Sequence, residues 1–230
     1  SRETISTDIN VLAEFSPKLT SEARAKEYLF LANIDPSVQM NVLTQMDTRP
    51  KLIGLDTMDF WINSDRDNLQ KVIENIDILF MDDAEIKSYT DETNIVAAAD
   101  SVHESGPKVI VVKKGEHGVT VFNQGKIFST PAYLLNTVTD PTGAGDSFAG
   151  GFMGYLASTG DLSDDGFRRA VVLGSVMGSF AVESFSLDRV QSVSEEEVEE
   201  RFRLIAELTR FKPLLDRETL PFSDTEHQVH

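Results

Sequence analysis

The feature that most constrains the fold is an alternation of two periods. Apolar runs of strand length at 28–32, 52–55, 76–81 and 109–113 are separated by segments at 38–46, 67–74 and 95–104, where apolar residues recur every three or four positions. A strand that is apolar almost throughout must be covered on both faces. A helix between two such strands returns the chain for a parallel, right-handed connection. The rhythm therefore predicts an α/β fold: a doubly wound, mostly parallel sheet with helices on both faces. Past residue 113 the pattern changes. Runs at 118–122 and 126–129 flank Asn123-Gln124-Gly125 and read as an antiparallel hairpin, and a further short strand is expected near 134–138. The rest is helical, at 144–158, 164–182 and 195–208, before a polar tail whose last fifteen residues are expected to be mobile.

Residues 4–12 alternate like a strand (Ile5, Ile9 and Val11) and lead through Pro17 into a short acidic helix. An isolated strand ahead of a doubly wound domain needs a partner, so it is expected either to pair with another molecule or to follow chain not included here.

Composition removes several functions. Among 230 residues, 38 Asp and Glu face 21 Lys and Arg, a net charge of −17 that argues against nucleic-acid or anionic-membrane surfaces. A small phosphate ligand is not excluded, because backbone N–H groups and a metal can hold one. The absence of Cys rules out disulfides, thiolate zinc sites and Cys nucleophiles. No apolar run approaches the ~20 residues that span a bilayer, and the opening is no signal peptide, so a cytoplasmic protein is expected.

In an open parallel sheet, ligands bind beyond the carboxyl ends of the strands. Those ends carry Asn33 and Asp35, then Asp56, then Asp82, Asp83 and Glu85, then Lys113 and Lys114. Taken singly, each is also what a turn or a helix cap uses. The segment Asp140-Pro141-Thr142-Gly143-Ala144-Gly145-Asp146-Ser147-Phe148-Ala149-Gly150-Gly151 is more specific. Its glycines let the backbone turn and present N–H groups at a helix start, which suits a phosphoryl group. Asp146 repels phosphate, so its place there fits a general base acting on an attacking hydroxyl. Glycines 150, 151 and 154 are expected to form one closely packed face. The segment lacks the G-K-(S/T) of a Walker loop and the spacing of a dinucleotide fingerprint. His103 and His117 support neither a triad nor a metal pair, and Trp61 reads as partly buried core.

The same segment resembles the second signature of the ribokinase-like (PfkB) carbohydrate kinases, D-(T/P)-T-G-A-G-D-x-F-x-x-G, at every specified position. Asp82-Asp83-Ala84-Glu85 resembles the family's N-x-x-E element, with Asp82 replacing its Asn, and 111–118 (VVKKGEHG) resembles its nucleotide-side strand and glycine turn. The resemblance implies a kinase that transfers the γ-phosphoryl of ATP to a hydroxyl of a sugar, with nucleoside kinases or a non-catalytic nucleotide-binding relative as alternatives. It implies Asp146 as the base and Gly143, Ala144 and Gly145 as a backbone anion hole. Lys113, Gly115, Gly118 and Thr142 would lie at the nucleotide, and Glu85, Asp82 and Asp83 would orient Mg2+. Asp140 would contribute to the monovalent-cation (K+) site of some members. The family's front portion has no match here, so the chain is expected to comprise a remnant of the β lid (1–14), an α/β core (15–210) and a tail (211–230). Homodimerisation through that lid, a small-molecule substrate and no nucleic-acid or membrane partner complete the expectations.

Overall fold

A computed structural model of the chain describes residues 9–215 and 218. In chain order the elements are α1 (Ser21–Arg24), β1 (Tyr28–Leu31), α2 (Pro36–Gln45), β2 (Leu52–Asp56), α3 (Asp59–Ser64), α4 (Arg66–Ile73), β3 (Ile78–Asp82), α5 (Asp83–Thr90), α6 (Ile95–Glu104), β4 (Val109–Lys113), β5 (Val119–Asn123), β6 (Lys126–Thr130), α7 (Ala144–Thr159), α8 (Asp164–Ala181), α9 (Asp188–Ser192) and α10 (Glu195–Leu208). Among the described residues six strands form one sheet in sequence order. The first four are parallel, and β5 and β6 add antiparallel.

The two-residue period of a strand divides the sheet into two cores. Ile53 and Leu55, Leu79 and Met81, and Ile110 and Val112 face α4, α5 and α6. Leu52, Ile78 and Phe80, and Val109 and Val111 face α7 and α8. Phe80 anchors the second layer: its ring meets Phe152 edge-on at 5.2 Å and Phe148 at 6.3 Å. Gly54 lies on this same face because a Cβ there would sit 3.0 Å from Met153 Sδ. The α7–α8 contact is closer still. A Cβ on Gly151 would lie 2.8 Å from Met177 Cγ, and one on Gly174 would lie 2.8 Å from the Phe148 carbonyl. Of the three glycines expected to form a packed face, only Gly151 does so; Gly150 and Gly154 look onto open space.

Two expected strands differ. Of the 4–12 segment, residues 4–8 lie outside the described residues, and Asn10–Glu14 forms a 3-10 helix. Extended backbone with no neighbouring strand leaves its polar groups unpaired, whereas here the Leu12 N–H donates to the Ile9 carbonyl at 3.0 Å. The 134–138 segment is irregular. Leu134 is 71% and Val138 55% exposed, so little burial favours pairing, and the chain instead ties to the end of α8 through Thr139 N–H to the Val182 carbonyl at 2.8 Å. The expected mobile tail (216–230) lies outside the described residues except for Glu218. No described helix is long and apolar enough to cross a membrane.

Candidate active site

Strand parity also decides which polar side chains meet. Asp56 follows Leu52 and Gly54 on the α7 face of β2; Asp82 follows Ile78 and Phe80 on β3; Lys113 follows Val109 and Val111 on β4. All three end their strands, and Asp82 pairs in register with Lys113. They come together beneath the start of α7.

That start is built by glycine. Gly143, at φ +78°, adopts a left-handed conformation that an L side chain resists, and it turns the chain into the helix. The Ala144 N–H reaches the Pro141 carbonyl at 3.3 Å, and the Ser147 N–H opens the helical ladder to the Gly143 carbonyl at 2.9 Å. No side chain caps the helix, so the N–H groups of Gly145 and Asp146 keep their donors for an incoming acceptor. The Asp146 side chain is exposed on the first turn, with no hydrogen bond or ion pair among the described residues.

Lys113 reaches across to β2. Its Nζ lies 2.8 and 2.9 Å from the two Asp56 carboxylate oxygens, in a pair whose side chains are 18% and 6% exposed. The same Nζ would be 3.2 Å from a Cβ on Gly145, which places the ammonium against the glycine loop. Burial pushes the Asp56 carboxyl up, the Lys113 charge opposes that, and the negative charge of Asp146 adds to it.

Asp82 and Glu85 form a reciprocal cap on α5. Asp82 Oδ1 accepts from the Ala84 and Glu85 N–H groups at 2.9 and 2.7 Å, and Glu85 Oε2 accepts from the Asp82 N–H at 2.7 Å. This device was visible as an Asp followed three residues later by Glu. Each carboxylate keeps one oxygen outside these bonds. Burial pushes Glu85 up to about 7, opposed by the Asp82 N–H and Lys113 and reinforced by the charges of Asp82 and Asp56. A hard divalent cation takes oxygen donors and would relieve that cost, so the residues fit Mg2+. Among the described residues no group of three or more His, Asp or Glu forms a metal cage, so such an ion would rely on its own waters and on phosphate oxygens.

The remaining candidates are more dispersed. Asp83 pairs with Lys87 along α5 at 3.3 Å, not with the cluster. Asp140 Oδ1 accepts from the Thr142 N–H at 2.9 Å, bracing the approach to the glycine loop. Gly115 lies in a left-handed turn at φ +56°. Gly118 has a structural reason of its own: at φ +86°, a Cβ would fall 2.1 Å from the Thr130 carbonyl oxygen. Trp61 is buried in α3 and donates to Asn33 Oδ1 at 3.0 Å, tying α3 to the end of β1. His103 rests on the Pro107 carbonyl at 2.9 Å, and His117 is exposed. The Asp56–Lys113 pair is the feature that a reading of strand ends alone missed, although the parity of the apolar residues points to it.

The chain is similar to known proteins in sequence and in fold. A family model described as pfkB family carbohydrate kinase matches residues 4–192. The chain is 37% identical over 93 residues to the cytidine kinase of Thermococcus kodakarensis, covering 39% of this chain and 33% of that protein. The fold is similar to a fructokinase from Vibrio cholerae O395 bound to fructose, ADP and a calcium ion (TM-score 0.69, 17% identity, 83% of this chain and 64% of that one). It is also similar to an aminoimidazole riboside kinase from Salmonella enterica complexed with aminoimidazole riboside and an ATP analogue (TM-score 0.65, 16% identity, 78% and 63%). The chain spans a third to two thirds of these three proteins, and the residues matched by the family model contain its parallel sheet, its glycine loop and α7. It belongs to the pfkB family of carbohydrate kinases.

Proposed function

We propose that the chain is the phosphoryl-transfer part of a kinase that moves the γ-phosphoryl of ATP to a hydroxyl of a sugar. The observation that carries this is the uncapped start of α7, where N–H donors and a carboxylate, both without a partner among the described residues, stand side by side. Donors alone would make an anion site. A carboxylate beside them serves the transfer by taking a proton from the acceptor, not by binding the donor.

In this reading the acceptor hydroxyl gives its proton to Asp146 as its oxygen attacks the γ-phosphorus, and the bond to the bridging oxygen breaks to release ADP. The N–H groups of Gly143 and Gly145, and that of Ala144 on release of its 3.3 Å bond to the Pro141 carbonyl, meet the charge that builds on the phosphoryl oxygens. Lys113, Gly115, Gly118 and Thr142 border the nucleotide. Glu85 and Asp82, through their uncommitted oxygens, would hold Mg2+ and its waters, which when bound neutralises triphosphate charge. Asp83, paired with Lys87 along α5, stays outside this set, and Asp140 would serve a K+ site. The Asp in place of the family's Asn adds a carboxylate, which favours a cation and repels bare triphosphate.

A nucleoside as the alcohol is the second reading, favoured by the 37% identity to a cytidine kinase. One assay separates the two: ADP release from ATP and Mg2+ over a panel of pentoses, hexoses and nucleosides. Turnover with free sugars supports the first reading and turnover confined to nucleosides the second. A protein that releases no ADP with any alcohol while binding ATP would be a non-catalytic relative.

A further inference from the structure

The Asp56–Lys113 pair is poorly explained by stability. Taking both charges out of water is costly, and an apolar pair of similar volume usually serves a core as well or better. Here the cost is aggravated, because Glu85 and Asp146 add negative charge around an Asp56 that burial already disfavours as an anion. The geometry is nevertheless specific. Lys113 ends a central strand, its Nζ is gripped by both oxygens of Asp56, and it lies against the one turn of α7 that no side chain caps. An ammonium has three donors. Two are spent on Asp56, and the third has no partner among the described residues. Gly145 leaves room for it, since even a methyl group there would come within 3.2 Å of the nitrogen.

We propose that Asp56 is a positioning residue: it holds the Lys113 ammonium at the start of α7 so that its remaining N–H meets an oxygen of the terminal phosphates of the nucleotide. This rests on the kinase reading and adds to it a residue outside the glycine signature. A free lysine gives up the rotamer entropy of its four-carbon stem when it grips a ligand. Fixing it beforehand removes that cost from binding. Asp56 also cancels the charge of Lys113 at long range, so the ammonium acts as a local, oriented donor.

The test is equilibrium binding by titration calorimetry, using the full chain, Mg2+ and two probes: adenylyl imidodiphosphate, which has the terminal phosphates, and AMP, which lacks them. In Asp56→Asn and in Lys113→Met, affinity for the imidodiphosphate is expected to fall about tenfold or more, the value of one charge-assisted hydrogen bond, with AMP unchanged. Adding Asp56→Asn to Lys113→Met is expected to cost nothing further, because Asp56 acts through the lysine. Unchanged or tighter imidodiphosphate binding in Asp56→Asn, equal losses for both probes, or losses that multiply in the double variant would overturn the proposal. If Asp56→Asn alone does not fold, the comparison of the double variant with Lys113→Met still decides, since both lack the buried ion pair. A wild-type protein that binds neither nucleotide contradicts the kinase reading itself, separately from the role of Asp56.

Discussion

Glu85 gives the most quantitative expectation. Its carboxyl is buried within the cap of α5 and pushed from 4.5 up to about 7. A carboxyl raised in the fold is protonated there while the unfolded chain is already ionised. The unfolded state therefore sheds its proton first, and stability falls as pH rises from about 4.5 to about 7, then levels off. At about 1.4 kcal/mol per tenfold change in proton affinity, the loss is about 3–4 kcal/mol. Glu85→Gln keeps an oxygen to accept the Asp82 N–H but cannot ionise. The variant is expected to match wild type near pH 4.5 and to exceed it by about 3–4 kcal/mol at pH 8. Urea unfolding of both proteins at pH 4.5, 6 and 8 without added metal reads the difference directly, and other titrating groups cancel in the comparison. Parallel pH profiles, or a variant less stable at pH 8, would refute the idea that the fold bears the cost of a buried charge kept there for a ligand.

Three glycine substitutions probe the frame. Gly174→Ala would place a methyl 2.8 Å from the Phe148 carbonyl, and overpacking of this kind is expected to lower unfolding free energy by about 1–3 kcal/mol, measured by denaturant titration. Gly143→Ala puts a side chain at φ +78° and is expected to cost about 1–2 kcal/mol and to weaken nucleotide binding together with it. Gly118→Ala meets the Thr130 carbonyl at 2.1 Å, so it should lower the melting temperature even without nucleotide; a variant that melts normally would mean that the glycine serves the ligand alone.

The sheet was legible because its strands are long enough to carry an unmistakable apolar run. The expected 109–113 coincides with β4, and 95–104 and 195–208 coincide with α6 and α10. The failures share one physical cause. At 10–12 and 134–138 the alternation is real, but strands need partners, and a local pattern does not say whether an edge is available. The short α3 was not foreseen, because six residues give too little periodicity to register. In the site, the glycine loop announces itself through residues used for little else. Asp56 does not, since an aspartate at a strand end looks like a turn residue until the strands are in register and Lys113 is seen reaching over it. Asp82 and Glu85 suit a metal and a helix cap alike, and only the reciprocal bonds at the start of α5 show that the pair caps as a unit.

The direct test of phosphoryl transfer at the start of α7 is the turnover of Asp146→Asn with ATP, Mg2+ and whichever alcohol the substrate panel identifies. Loss of a general base lowers kcat by about 10²–10⁴. Because Asp146 binds nothing else among the described residues, ATP affinity and melting temperature should change little. A variant retaining near-normal kcat would contradict Asp146 as the base and, with it, the assignment of this helix start as the place where the phosphoryl group is transferred.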